Sequence, residues 1–190
     1  FSTHIDRVDI RDDAVQAAYE HYLALREEVY GPEAAKEAIA ILRELKTPFV
    51  LHQIRYNMFD RTHERQGSFK LLEEQGVGGI VFSPLAQGLL TGRYLNGIPQ
   101  DSRMAEGRSL RRDVLTDAML ARIRGLDDLA RQRGQTLAEM ALAWLLHDSR
   151  VTTVIIGASS TAQIADNLRA LENTAFSDEE LARIDALSRE

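Results

Sequence analysis

The sequence predicts an α/β fold with a parallel, barrel-type sheet, and three observations carry that prediction. Three short runs, Phe49-Val50-Leu51-His52-Gln53, Gly78-Gly79-Ile80-Val81-Phe82 and Thr152-Thr153-Val154-Ile155-Ile156-Gly157, are largely apolar. They read as strands buried on both faces, as in parallel sheets. The first two are separated by one helical stretch and short connections, the strand-helix-strand unit that forces parallel pairing. Each strand also leads into a loop at its carboxyl end, where the ligand sites of such proteins lie. A complete (β/α)8 barrel takes about 250 residues. The 190 residues here are too few for one.

In chain order, Phe1-Ser2-Thr3-His4 reads as the last residues of a strand. Asp12 and Asp13 open a helix with Val15, Ala18, Tyr19, Tyr22 and Leu25 on one face, ending near Glu28. Gly31-Pro32 starts the next helix, because proline suits the first turn. Its inward face is Ala35, Ile39, Leu42 and Leu45, and Lys46-Thr47-Pro48 ends it. After the strand at 49–53, whose carboxyl end is the polar Gln53, Tyr56-Asn57-Met58-Phe59 forms a loop. Ser68 caps a helix carrying Leu71 and Leu72 that stops at Gly76. Residues 97–112 are charged and aperiodic, so they read as a long surface loop. Thr116 caps a helix with Met119, Leu120, Ile123, Leu126 and Leu129 on one face, ending at Gly134. Thr136 and Glu139 make a capping box for a second helix bearing Met140, Ala143, Trp144 and Leu145. After the third strand, Ser160 and Gln163 make another box, which aims the positive end of a helix at the strand's carboxyl end, an anion-binding arrangement. Ser177 and Glu180 cap the last helix, with Phe176 and Leu181 as a hydrophobic staple.

Composition narrows the function classes. A net charge of −6 and a pI near 5.4 argue against a nucleic-acid partner, which needs clustered Lys and Arg. Zero cysteines exclude disulfides, thiolate catalysis and Cys-type zinc sites and fit a reducing cytoplasm. No apolar run approaches the roughly 18 residues of a membrane span, so no membrane partner is expected. His21, His52, His63 and His147 have no metal-ligand spacing, which speaks against a zinc hydrolase and for no metal. The expectation is one soluble, cytoplasmic domain over residues 1–190.

The segment with most chemistry is Ser83-Pro84-Leu85-Ala86-Gln87-Gly88-Leu89-Leu90-Thr91-Gly92-Arg93-Tyr94. Pro84 has no N–H to donate and halts the ladder; Gly88 and Gly92 let backbone pass close to a ligand. With Gly97-Ile98-Pro99 and Asp101-Ser102-Arg103 behind it, this run resembles the cofactor loop of the aldo-keto reductases. The branch it resembles holds bacterial L-glyceraldehyde 3-phosphate reductase and the potassium-channel β-subunits. The resemblance implies the (β/α)8 TIM barrel of that family, with only its second half written here. Residues 1–4 would end the fourth strand, 50–53 form the sixth, 80–83 the seventh and 154–157 the eighth. The fifth should lie near residues 28–30, but the Gly-Val-Ser-Asn-like motif that it carries in the family is not present. Either the chain is longer than these residues, or it is a fragment that cannot close a barrel. The first is expected, because a missing interior strand leaves unpaired edges.

The resemblance also implies an activity: NADPH-dependent reduction of small aldehydes or ketones, such as glyceraldehyde 3-phosphate or methylglyoxal. Of the family's catalytic residues only the histidine that orients the carbonyl oxygen carries over, onto His4; the Asp, Tyr and Lys have no counterpart, and Tyr19, Tyr22 and Tyr30 read as packing residues. For the cofactor NADP, Gln53 matches the carboxamide contact, Phe82 the ring beside the nicotinamide, and Ser83, Leu85 and Gln87 the pyrophosphate wall. Arg93 and Arg103 match basic positions facing the adenosine phosphates, and Gly157, Ser159, Gln163, Asp166 and Asn167 match the adenosine end. Gly157-Ala158 and Gln163 stand where many members carry a Lys-Ser and an Arg around the 2′-phosphate, so preference for NADP over NAD falls to another cation. A small carbonyl substrate is the implied partner, and the resemblance allows a homo-oligomer. The alternative it leaves open is a nucleotide-sensing regulatory module like the channel β-subunits.

Overall fold

The computed structural model describes residues 31–100, 102, 104, 105 and 112–189. The strand and helix expected before Gly31, and with them His4, lie outside these residues, as does Arg103. Helix α1 (Pro32–Glu44) has Pro at its first turn and buries Ala35 and Ile39. Leu45, expected to face inward, is 67% exposed, because the helix ends before it and Lys46 turns away at φ 52°.

Strand β1 (Leu51–Arg55) pairs in parallel with β2 (Gly78–Phe82), and β2 pairs in parallel with β3 (Val151–Val154), in the order β1-β2-β3. Parallel pairing of the three is as expected, but the bounds of two strands move. β1 starts and ends two residues later than the apolar run, so Gln53 sits mid-strand and Arg55 at the end. β3 stops at Val154, not Gly157. Ile155 N–H still donates to Val81 C=O at 2.7 Å, but β2 ends at Phe82, so Ile156 and Gly157 have no strand beside them.

Between β1 and β2 lie a short helix that the sequence did not announce, α2 (Thr62–Arg65), and α3 (Ser68–Glu74). Ser68 does not cap α3. Gly67, left-handed at φ 83°, is the cap, and the Ser68 hydroxyl lies 3.2 Å from His63 Nδ1. After β2 come a 3-10 segment (Ala86–Thr91), α4 (Asp117–Gln132) and α5 (Leu137–His147); after β3 come α6 (Thr161–Leu168) and α7 (Asp178–Ser188). Thr116 accepts from Met119 N–H, and the boxes Thr136/Glu139 and Ser177/Glu180 form in both directions. The box at α6 forms in one direction only: Ser160 accepts from Gln163 N–H, but the Gln163 amide oxygen accepts from Ser159 N–H at 2.8 Å. The long segment after Gly97 is not wholly a surface loop, since Ser102 and Met104 are both 0% exposed and Met104 joins the core.

The two faces of the sheet differ. Ile54, Val81 and Val151 pack against Phe69, Leu72, Ile123, Leu126, Met140, Leu145 and Ile184 of the helix layer. On the other face the register aligns Gln53, Ile80 and Thr153, and among the described residues Leu51, Gln53 and Thr153 remain exposed. The expectation of strands buried on both faces therefore holds for one face only. Gly79 marks the tightest point of the covered face. A Cβ there would sit 3.1 Å from the Arg150 carbonyl oxygen and 3.4 Å from Phe69, and the β2/β3 register shifts between Gly79 and Ile80.

Candidate functional site

The loops at the carboxyl ends of the strands are built by backbone conformations that few residues adopt. Immediately after β2, Ser83 takes φ 55°; Ala86 and Gln87 follow at 46° and 58°, and Gly88 and Gly92 at 103° and 71°. Three of these are not glycine, and left-handed backbone in such residues costs of order 1–3 kcal/mol each where it persists, typically at ligand sites. The two glycines were legible as sites of close backbone approach; Ser83, Ala86 and Gln87 gave no such signal. The loop stays folded because Leu89, Leu90 and Tyr94 are buried beneath it, Tyr94 at 1% exposure. Its turns close through Ala86 N–H to Ser83 C=O (3.1 Å) and Gly88 N–H to Leu85 C=O (2.9 Å).

Asn57, read from sequence only as part of a loop, ties this segment to the end of β1. It is 1% exposed. Its Oδ1 accepts from Phe59 N–H (3.0 Å) and Asp60 N–H (2.9 Å), and its Nδ2 donates to Ser83 C=O at 3.0 Å. No local pattern announces a bond that spans 26 residues.

The predicted site residues fall into two groups around this loop. Gln53 is exposed on the open face of the sheet, while Phe82, Ser83, Leu85 and Gln87 are half-buried at the end of β2. Leu85 packs on the core. Gln87 Oε1 is buried with no hydrogen-bond partner, a costly state that a ligand's donor would relieve. Arg93 is exposed. In the second group, beyond β3, Gly157, Ser159, Gln163 and Asp166 are exposed and Asn167 is half-buried. A Cβ at Gly157 would meet nothing within 4 Å, so there is room for a ligand beside it. Asp166 pairs with Arg169 at 2.9 Å, and Arg169 also holds Glu139 at 2.8 Å. Arg55, overlooked in the sequence, projects from the end of β1 opposite Phe82 and contacts Asp60 at 3.1 Å. Together they leave an unpartnered buried acceptor, Gln87 Oε1, and an open glycine, Gly157, beyond the carboxyl ends of β2 and β3.

A second concavity, about 390 Å³, lies on the outer layer between α2, α5 and α7. It contains the strongest electrostatics among the described residues, but every carboxylate in it is paired. Tyr56 donates to Glu64 at 2.8 Å, Arg61 grips Glu64 at 2.6 Å and also Asp185, and Arg150 holds Asp148 at 2.6 Å. Burial, then the neighbouring Glu64, pushes the Tyr56 hydroxyl far above its usual range, so it stays protonated as a fixed donor. For Glu64 burial works toward protonation, but the bonds from Arg61 and Tyr56 outweigh it and hold the carboxyl below its usual value. This is a clamp between helices. His52, on the helix side of β1, has its pKa lowered by burial and by His63. Among the described residues no group of His, Asp or Glu could hold a metal ion, and no helix is long and apolar enough to cross a membrane.

Comparison with known proteins identifies the family. The model of the aldo/keto reductase family matches residues 29–189. L-Glyceraldehyde 3-phosphate reductase of Escherichia coli (strain K12) is 49% identical over 176 residues, covering 90% of this chain and 50% of that protein. A probable voltage-gated potassium channel subunit beta of Arabidopsis thaliana is 38% identical over 126 residues, covering 65% of this chain and 38% of that protein. Among solved structures, an aldo-keto reductase from Bacillus halodurans in its holo form superposes with a TM-score of 0.61 at 28% identity, covering 84% of this chain and 48% of that one. The chain thus spans about half the length of the curated reductase relatives it matches.

Proposed function

The chain belongs to the aldo/keto reductase family, and on that premise we propose that it carries the nicotinamide-dinucleotide half of an NADPH-dependent reductase of small aldehydes or ketones. The observation that supports this most directly is the loop after β2, which holds left-handed backbone at Ser83, Ala86, Gln87, Gly88 and Gly92 at the carboxyl end of the strand. When bound, the nicotinamide supplies the hydride. The chain's own residues hold and orient it: Gln53 at the carboxamide, Phe82 against the ring, Ser83, Leu85 and Gln87 along the pyrophosphate. Gly157, Ser159, Gln163, Asp166 and Asn167 flank the adenosine, with Arg93 and Arg103 toward its phosphates. His4 orients the carbonyl oxygen of a substrate such as glyceraldehyde 3-phosphate. All 190 residues form one domain in this reading. A second reading, a nucleotide-sensing module in which occupancy is the signal, is favoured by the 38% identity to the potassium channel subunit beta of Arabidopsis thaliana.

Both readings require nucleotide binding, and Arg103 tests its finer point. Gly157 and Gln163 provide no cation for a 2′-phosphate, whereas a guanidinium can pair with one bidentately, worth roughly 1.5–3 kcal/mol or about ten- to a hundred-fold in affinity. Calorimetric titration should show NADPH binding that Arg103→Ala weakens by that factor, with NADH nearly unchanged. No heat of binding with either dinucleotide at millimolar concentration would remove the proposal. Equal loss for both would make Arg103 a loop residue, and turnover of an aldehyde separates reductase from sensor.

A further inference from the structure

We infer that Asn57 is a positioning residue for the dinucleotide, acting through the backbone of Ser83. The inference rests on the cofactor-loop reading above. Ser83 is the first residue past β2 and holds φ 55°, a conformation that an L-residue occupies only when its surroundings insist. Two bonds insist on it, since its carbonyl accepts from Asn57 Nδ2 at 3.0 Å and from Ala86 N–H at 3.1 Å. Asn57 is itself over-determined. Its Oδ1 is fixed by Phe59 N–H and Asp60 N–H, its backbone N–H donates to Asp60 C=O at 3.1 Å, and it is 1% exposed. A side chain held at one end by a closed turn therefore sets the direction in which the chain leaves β2. That direction fixes where the following left-handed residues, Ala86, Gln87 and Gly88, present their backbone. Asn57 touches no ligand in this scheme; it determines whether Ser83 and Gln87 can.

Asparagine is the side chain that does both jobs, and the substitution Asn57→Asp separates them. A carboxylate still accepts from Phe59 and Asp60 but cannot donate to Ser83. The experiment uses the full 190-residue chain, with amide hydrogen exchange as one arm and calorimetric titration with NADPH, at low and at roughly 0.5 M salt, as the other. Salt at that level screens direct repulsion between the new charge and the phosphates. In Asn57→Asp the amides of Phe59 and Asp60 should keep their protection while those of Ala86, Gly88 and Leu90 exchange at least tenfold faster. NADPH affinity should fall about tenfold at both salt concentrations, the scale of one lost hydrogen bond. Asn57→Ala should release both sets of amides. Unchanged exchange at Ala86, Gly88 and Leu90 in Asn57→Asp overturns the clamp. Faster exchange with unaltered NADPH affinity, or a loss that high salt abolishes, overturns its role in nucleotide positioning. Absence of NADPH binding in the unsubstituted chain refutes the cofactor reading instead, and the exchange arm still decides whether Asn57 holds the loop.

Discussion

Glu64 shows how single residues hold the outer layer together. Its carboxylate accepts from the Tyr56 hydroxyl and from two nitrogens of Arg61, which also reaches Asp185 on α7. Because its folded pKa lies below the ordinary 4.5, the stability it adds is complete above about pH 4.5 and is lost as pH falls through the folded value. Glu139, Asp148 and Glu180 are lowered in the same sense, each against its own burial, so they add to the same acid limb. Glu64→Gln should cost about 1.5–3 kcal/mol at pH 7, the scale of hydrogen bonds to charged groups, and progressively less below pH 4.5. Urea unfolding of both proteins at pH 7 and at about pH 3.5 checks this; a difference that does not narrow in acid would show the carboxylate charge to be irrelevant. At this scale the sequence was most legible where a residue acts on its near neighbours. Thr136, Ser177 and Gly76 announced their caps, whereas Asn57 and Arg61, whose partners lie 26 and 124 residues away, carried no readable signal.

At the scale of elements, apolar runs located every described strand, but their ends followed hydrogen-bond partners. β1 runs on to Arg55 because Phe82 still pairs there; β3 stops short of Gly157 because β2, ending at Phe82, offers no strand beside Ile156 and Gly157. The polar Gln53 and Arg55 alternate with His52 and Ile54, a period-2 pattern that a search for continuous apolar runs passes over. Ile98 and Met104 were the apolar clues that part of the charged segment after Gly97 turns inward. Gly79 offers the element-scale test. A methyl group there would press on the Arg150 carbonyl oxygen, a backbone atom, at 3.1 Å. Gly79→Ala should therefore lower stability by about 1–3 kcal/mol. A thermal melt in which Gly79→Ala is as stable as the unsubstituted protein would contradict the packing account of the register shift.

For the whole molecule, the sheet has one covered face and one open one, and the outer edges of β1 and β3 pair with no strand among the described residues. Apolar side chains collect near both edges: Val50 and Leu51 at 70% and 40% exposure on one side, Ile155, Ile164, Leu168 and Leu171 at 45–60% on the other. Unpaired parallel edges flanked by such surface invite association. Light scattering on the 190-residue chain should show a mass that grows with concentration in the micromolar to millimolar range, and Val50→Lys with Leu171→Lys should reduce it. A constant monomer mass would mean that those surfaces are covered by the chain itself. The barrel was inferable from sequence because its strands and caps are local, whereas the open face was not, since burial depends on what stands opposite. The outer-layer clamp has an optical consequence. The single tryptophan, Trp144, is 7% exposed, tilted 5.3 Å from Tyr56 and overlain by Arg61. Its emission is therefore a built-in gauge of whether α2, α5 and α7 are closed upon one another. Acid that releases Glu64 should redden that emission.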